Sequence, residues 1–189
     1  MTRLVLTSSD SAGGCLLRAG VGDIVIPLGF RFVWDELPSD VKLEAMLGPG
    51  SLDHFPPHRL GEFHLKGMGA LDLCERCEAV EFWFDPAPNS QLILVQLLDC
   101  LSSRERSVSK LTLFQADVDI AKQVPEAISE WKPPAVKIRN EHLEAASWPG
   151  RHIDSRHLNN GLICFRRKSA PCRSFDRSCW SYSKSFPCL

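Results

Sequence analysis

No stretch of the 189 residues approaches the length of a membrane span, and the opening Met1-Thr2-Arg3-Leu4-Val5-Leu6-Thr7 has an apolar run too short for a secretory signal. These absences predict a cytosolic protein. In that compartment eight cysteines read as reduced thiols rather than a disulfide framework. The chain also lacks an internal repeat and any low-complexity segment, which excludes solenoids and arrays. Its Ser9-Asp10-Ser11-Ala12-Gly13-Gly14 string is neither GxGxxG nor a Walker loop, the two glycine-rich loops that most directly signal phosphate binding. What remains is a length suited to one domain that buries a core without disulfides or metals.

Residues 148–189 lack glutamate altogether, and their apolar residues keep neither helical nor strand period. They carry 8 Lys+Arg against Asp154 and Asp176, seven serines, and four of the cysteines (Cys164, Cys172, Cys179, Cys188). Residues 1–147 instead hold 14 Lys+Arg against 21 Asp+Glu, a net of −7. An acidic body of this kind offers no electrostatic case for nucleic acid. The division is therefore a domain over 1–147 and an irregular basic tail over 148–189.

Within the body, Leu4, Val5 and Leu6 make a short buried strand over 3–7, ended by Ser8-Ser9-Asp10. A helix over 11–19 follows and stops at Gly20 and Gly22, and Asp23 to Leu28 is a second strand. A helix is expected over 40–47, and a longer one from about 58 to 77, although Gly61, Gly67 and Gly69 interrupt it. Val80-Glu81-Phe82-Trp83-Phe84 is the clearest strand, and the helix over 90–101 is apolar enough to be buried. A strand over 110–114, a short helix over 124–131 and a helix running from Pro133-Pro134 to Ala146 complete the body. Strands alternating with helices predict an α/β domain, Rossmann-like, with a mainly parallel sheet, right-handed connections and helices on both faces.

Three strings resemble one family. Thr7-Ser8-Ser9-Asp10-Ser11-Ala12 resembles an opening Thr-Asn-Gly-Asp-Ser-Ala turn. Phe82-Trp83-Phe84-Asp85, Asn89-Ser90-Gln91-Leu92 and Val95-Gln96-Leu97-Leu98-Asp99 resemble its central strand and helix. Pro134-Ala135-Val136-Lys137 and His142-Leu143-Glu144 resemble its late helix. On these strings residues 1–147 resemble the bacterial domain-of-unknown-function 1835 family. Ser9 stands where the family usually has glycine, and Asp35-Glu36-Leu37-Pro38 where Gly-Pro usually precedes its proline.

The resemblance implies no activity and no functional residue. It does imply that the chain should continue with Ala-Trp, an aromatic-Arg pair, a Pro-rich helix start around Gln-Trp, and a closing amphipathic helix rich in Leu and Glu. None of this follows Ser147. Back-translating the tail and reading from each third codon base recovers much of it. Cys179-Trp180-Ser181-Tyr182-Ser183-Lys184-Ser185-Phe186-Pro187 is compatible with Leu-Glu-Leu-Leu-Glu-Glu-Leu-Pro, and Asn159-Asn160-Gly161 with Gln-Trp. The expectation is a frame change near Ser147 to Trp148, preferred to a natural basic Ser/Cys-rich tail. Loss of the closing helices should then leave apolar surface exposed on the helices over 91–101 and 135–146.

Candidate chemistry gathers where strands turn into helices. Asp10, Ser11 and the small residues Ala12-Gly13-Gly14 open the first helix, whose N–H groups and dipole could hold an anion, though Asp10 would oppose one and serve better as a cap. Asp85-Pro86-Ala87-Pro88-Asn89-Ser90-Gln91 follows the third strand and Gln115-Ala116-Asp117 the fourth. In a parallel sheet these carboxyl ends share one edge, so Asp10, Ser11, Asp85, Asn89 and Gln91 are the candidate ligand-binding residues. The competing role for Asn89 or Ser90 is to cap the helix that follows.

Cys74-Glu75-Arg76-Cys77 has no second cysteine pair in the body, and His54, His58 and His64 lack helical spacing toward a carboxylate, so no metal site is expected. Five single tryptophans in unrelated contexts make no nucleic-acid stacking set. The leading functional reading is a non-catalytic or regulatory cytosolic module binding a small phosphorylated or nucleotide-like ligand, its cofactor unknown, with neither nucleic acid nor membrane as partner. Two other classes stay open. One is a metal-assisted hydrolase or nucleotide-handling enzyme using Asp10 and Asp85. The other is a domain whose late helices dock a protein partner.

Overall fold

In the computed structural model, which describes residues 2–32, 40–63, 66–102, 108–131 and 133–146 apart from the side chains of 40, 57 and 62, five strands form one sheet. They are β1 (Arg3–Thr7), β2 (Ile24–Pro27), β3 (Ala79–Phe84), β4 (Leu111–Gln115) and β5 (Ala135–Lys137), in the order β2-β1-β3-β4-β5. β1 to β4 are parallel, and β5 runs antiparallel to β4. The helices are α1 (Asp10–Arg18), α2 (Asp40–Leu47), α3 (Pro57–Leu60), α4 (Ala70–Arg76), α5 (Pro88–Ser102), α6 (Pro125–Glu130) and α7 (Asn140–Ala146). The departure at Asp35 to Pro38, His64 and the whole tail from Trp148 lie outside the described residues. No described helix is long and apolar enough to cross a membrane.

The strand order follows from chain direction. From β1 the chain steps through α1 to β2 on one side, then crosses to β3 on the other side of β1 and continues through α5 to β4. Right-handed crossovers taken in opposite directions put α1 and α5 on opposite faces of the sheet. On the first face Val5, Val25 and Trp83 pack with Ala12, Cys15 and Leu16 of α1 and with Ile120 and Ile128. Trp83 stacks on Phe114 with ring centroids 4.8 Å apart and meets Trp131 edge-on at 6.2 Å. On the second face the alternate strand residues Leu4, Leu6, Val80, Phe82, Phe84, Leu111 and Leu113 are all buried, and α5 packs on β3 and α7.

The end of α1 shows how local sequence sets a boundary. Gly20 has φ 68°, its N–H donates to the Leu17 carbonyl at 3.1 Å, and the Val21 N–H donates to the Leu16 carbonyl at 3.1 Å. These are the paired bonds of a Schellman ending, and only glycine takes that left-handed position without a steric cost. The chain is thereby turned back toward the sheet to begin β2.

Three expectations are corrected. The helix expected from about 58 to 77 is broken into α3, a 3₁₀ turn over Gly61–Phe63, and α4. Gly61 and Gly67 take φ of 54° and 82°, values that no right-handed α-helix holds, and the backbone of Gly69 sits against the Gly48 carbonyl, where a Cβ would overlap it. The helix expected from Pro133 to Ala146 is β5 followed by α7. Proline holds its preceding residue extended, which suits a strand, and it can stand at a sheet edge where its missing N–H costs no ladder bond. The Gln115 N–H donates to the Pro134 carbonyl at 3.3 Å and the Ile138 N–H to the Leu111 carbonyl at 3.1 Å, so the ladder brackets β5. Finally, the apolar surface of α5 is not left open: Leu92, Ile93, Leu94, Leu97, Leu98 and Leu101 are buried, as are Leu143 and Ala146 of α7.

Candidate functional site

Between β1 and β3 the sheet changes direction of travel, and the carboxyl ends of these two strands bound the crevice where open α/β sheets take ligands. Among the described residues, the buried polar or charged side chains are Thr7, Ser8, Asp85, Ser90 and Gln91. All five belong to the ends of β1 and β3 or to the first turn of α5. Burying hydrogen-bonding groups costs free energy unless they are paired, so their confinement to one sheet edge marks that edge as different from the rest of the core.

Much of this layer is internally bonded. Thr7 Oγ1 donates to the Trp83 carbonyl at 2.8 Å, tying β1 to β3, and Ser90 Oγ donates to Ser8 Oγ at 2.8 Å, tying α5 to the β1 loop. Asp85 Oδ1 accepts the Ala87 N–H at 3.0 Å, an Asx turn that swings the chain from β3 into α5. Gln91 Nε2 donates to the Asp85 carbonyl at 2.7 Å, which holds the start of the helix against that turn.

Asn89 has a longer reach than a cap. Its Nδ2 donates to the Phe30 carbonyl and its Oδ1 accepts the Phe32 N–H, each at 2.7 Å, so it clamps the segment that follows β2. That segment is already held to β1, since the Leu28 and Gly29 N–H groups donate to the carbonyls of Thr7 and Ser8 at 2.9 and 3.2 Å. Exposed Arg31 sits between the two residues that Asn89 holds. The capping position expected for Asn89 or Ser90 is corrected: α5 begins at Pro88, so both lie inside its first turn, where Asn89 bonds to 30 and 32 and Ser90 to Ser8.

Asp10 and Ser11 are exposed in the first turn of α1 and do not enter the buried layer. The cap of α1 is Ser9, whose Oγ accepts the Ala12 N–H at 3.2 Å, and not Asp10. The structure thus ties the segment that carries Asp85, Asn89 and Gln91 to Ser8, in the loop that leads into α1, while Asp10 and Ser11 lie in the exposed first turn of that helix. Thr7, Ser8 and Ser90 are the residues that sequence reasoning missed as site residues. Their signal was a polar side chain at the close of an apolar strand and another in the first turn of an apolar helix.

The remaining candidates lie elsewhere. Cys74 is buried in α4, and Cys77 is buried at its end, where the Lys110 ammonium donates to the carbonyls of Glu75 and Cys77 at 2.7 and 3.0 Å. Burial pushes the Cys77 thiol up to about 11, with Lys110 opposing that shift and Asp23 adding to it, so this thiol is a poor nucleophile. His54 and His58 are exposed. Among the described residues no group of three or more His, Cys, Asp or Glu side chains is placed to hold a metal ion. Among the described residues the large exposed apolar side chains are Leu17, Val41, Val118 and Val124, none of which belongs to α7.

The fold and site define an α/β protein with a cluster of buried polar side chains at the carboxyl ends of β1 and β3 in a mixed, mostly parallel sheet. No protein-family model, curated protein or solved structure matches the chain.

Proposed function

We propose that this is a Rossmann-like cytosolic module that binds a small phosphorylated or nucleotide-like ligand at the β1/β3 switch point, in a regulatory rather than catalytic role. The observation that carries the reading is the confinement of every buried polar side chain of the described residues to that edge. Exposed Arg31, on the segment held by Asn89, is the cation within this group of loops that could meet a phosphate, and Ser11 adds a hydroxyl at the start of α1. The enzyme reading has less behind it, because Asp10 is exposed and only Asp85 is buried. Membership of the domain-of-unknown-function 1835 family, with residues 148–189 out of frame, is part of the same proposal. The test is thermal melting of the full chain against a panel of nucleotides, nucleosides and sugar phosphates. A ligand that prefers the native state raises the midpoint by mass action, and a panel of flat curves would count against the reading.

A further inference from the structure

Two oxygens in the buried layer accept no hydrogen bond from a described residue. Asp85 is 5% exposed, yet its one hydrogen bond runs through Oδ1 to the Ala87 N–H, and it forms no ion pair with a described residue. Gln91 is 6% exposed and is engaged through Nε2 alone, which leaves Oε1 as its open atom. Both belong to the segment leaving β3, and the bond from Gln91 Nε2 to the Asp85 carbonyl fixes them to each other. Neither oxygen is sealed off: the one side-chain oxygen among the described residues that is both fully enclosed and unpartnered is Gln115 Oε1, at the end of β4.

A carboxylate this deeply buried needs donors, and the chain supplies one. An ionised carboxylate and an amide oxygen accept hydrogen bonds and donate none, so they repel phosphate oxygens and match hydroxyl groups. Asp10, the first residue of α1, adds negative charge that weighs the same way.

We infer that Asp85 Oδ2 and Gln91 Oε1 recognise the hydroxyls of a ribose, so that the switch-point crevice reads the sugar of a ribonucleoside and leaves any phosphate to lie outside it. This rests on the ligand reading of the preceding section and names the part of the ligand that the buried layer meets. Each hydroxyl adds a donor to an acceptor that the fold leaves open, and the pairing with a charged acceptor is among the stronger hydrogen bonds.

The experiment is calorimetric titration of the full chain with adenosine, uridine, 2′,3′-dideoxyadenosine, inorganic phosphate and magnesium, together with the Asp85→Asn variant. Asn preserves the shape and the acceptor for the Ala87 N–H but puts an NH₂ donor in place of Oδ2. The expected result is binding of a ribonucleoside, weakened about tenfold or more both by removal of the 2′ and 3′ hydroxyls and by Asp85→Asn. The dideoxy probe tests the inference on the unaltered chain, so it stands even if the variant fails to fold. Equal affinity for adenosine and its dideoxy analogue overturns the sugar inference while leaving the ligand site in place. So does displacement of the nucleoside by phosphate alone, or magnesium binding that Asp85→Asn abolishes. Absence of binding by every probe overturns the inference and the site reading together.

Discussion

Ser90 Oγ and Ser8 Oγ are hydrogen-bonded at 2.8 Å although 82 positions separate them in the chain, and both residues are buried. That single contact joins the loop after β1 to the first turn of α5 across the switch point. The pair thereby holds together the two places at which the chain leaves β1 and enters α5.

Removing one hydroxyl strands the other. Ser90→Ala should destabilise the protein by about 1–3 kcal/mol in urea unfolding, the penalty of an unsatisfied buried polar group. The double replacement with Ser8→Ala should cost less than the two single changes added together, because it leaves no hydroxyl unpaired. Strict additivity would show that the two side chains are not coupled.

Gly20→Ala tests the end of α1. At φ 68° a Cβ is strained whatever the surrounding space, and none of the neighbouring atoms comes within 4 Å of where it would sit. The expected loss is about 1–2 kcal/mol from backbone strain alone. A neutral result in thermal melting would mean that this turn reorganises readily.

Phe82→Ala tests the second face of the sheet. Phe82 is fully buried on the central strand β3, so the cavity left behind should cost about 3–5 kcal/mol. Trp131→Ala, at a half-buried position on the opposite face, should cost less in the same denaturant titration.

Alkaline stability should carry the signature of Cys77. Its thiol is raised from 9.0 to about 11 in the folded chain, so the native state holds this proton more tightly than the unfolded one. The resulting stability is complete below about pH 9 and is lost as pH rises toward 11. Melting midpoints followed over that interval should fall more steeply for the unaltered chain than for Cys77→Ala. Parallel curves would remove Cys77 as the cause.

The tail makes a genetic prediction. Reading the DNA across codons 140–165 should reveal a change of frame, after which the alternate reading continues into a Leu- and Glu-rich helix. An unbroken frame shared with closely related genes would remove that explanation.

Local patterns in the chain were enough to specify β1 over Arg3–Thr7 and the core strand around Phe82, where apolar residues run together between turn formers, and α2 over Asp40–Leu47, where apolar residues recur at helical spacing before Pro49 and Gly50. Glycine and proline were harder to read. The breaks at Gly61 and Gly67 depend on positive φ, and β5 became a strand because β4 offered Pro134-Ala135-Val136 a ladder edge that no local propensity contains. The candidate site divides in the same way. Asp85, Asn89 and Gln91 were legible as polar residues after a strong strand, whereas the strand order β2-β1-β3-β4-β5 and the Ser8–Ser90 contact arise only when the sheet assembles. Sequence periodicity decides which side of each strand is apolar. Which strands become neighbours, and therefore which loops share an edge, is decided by crossover direction and packing over the whole domain.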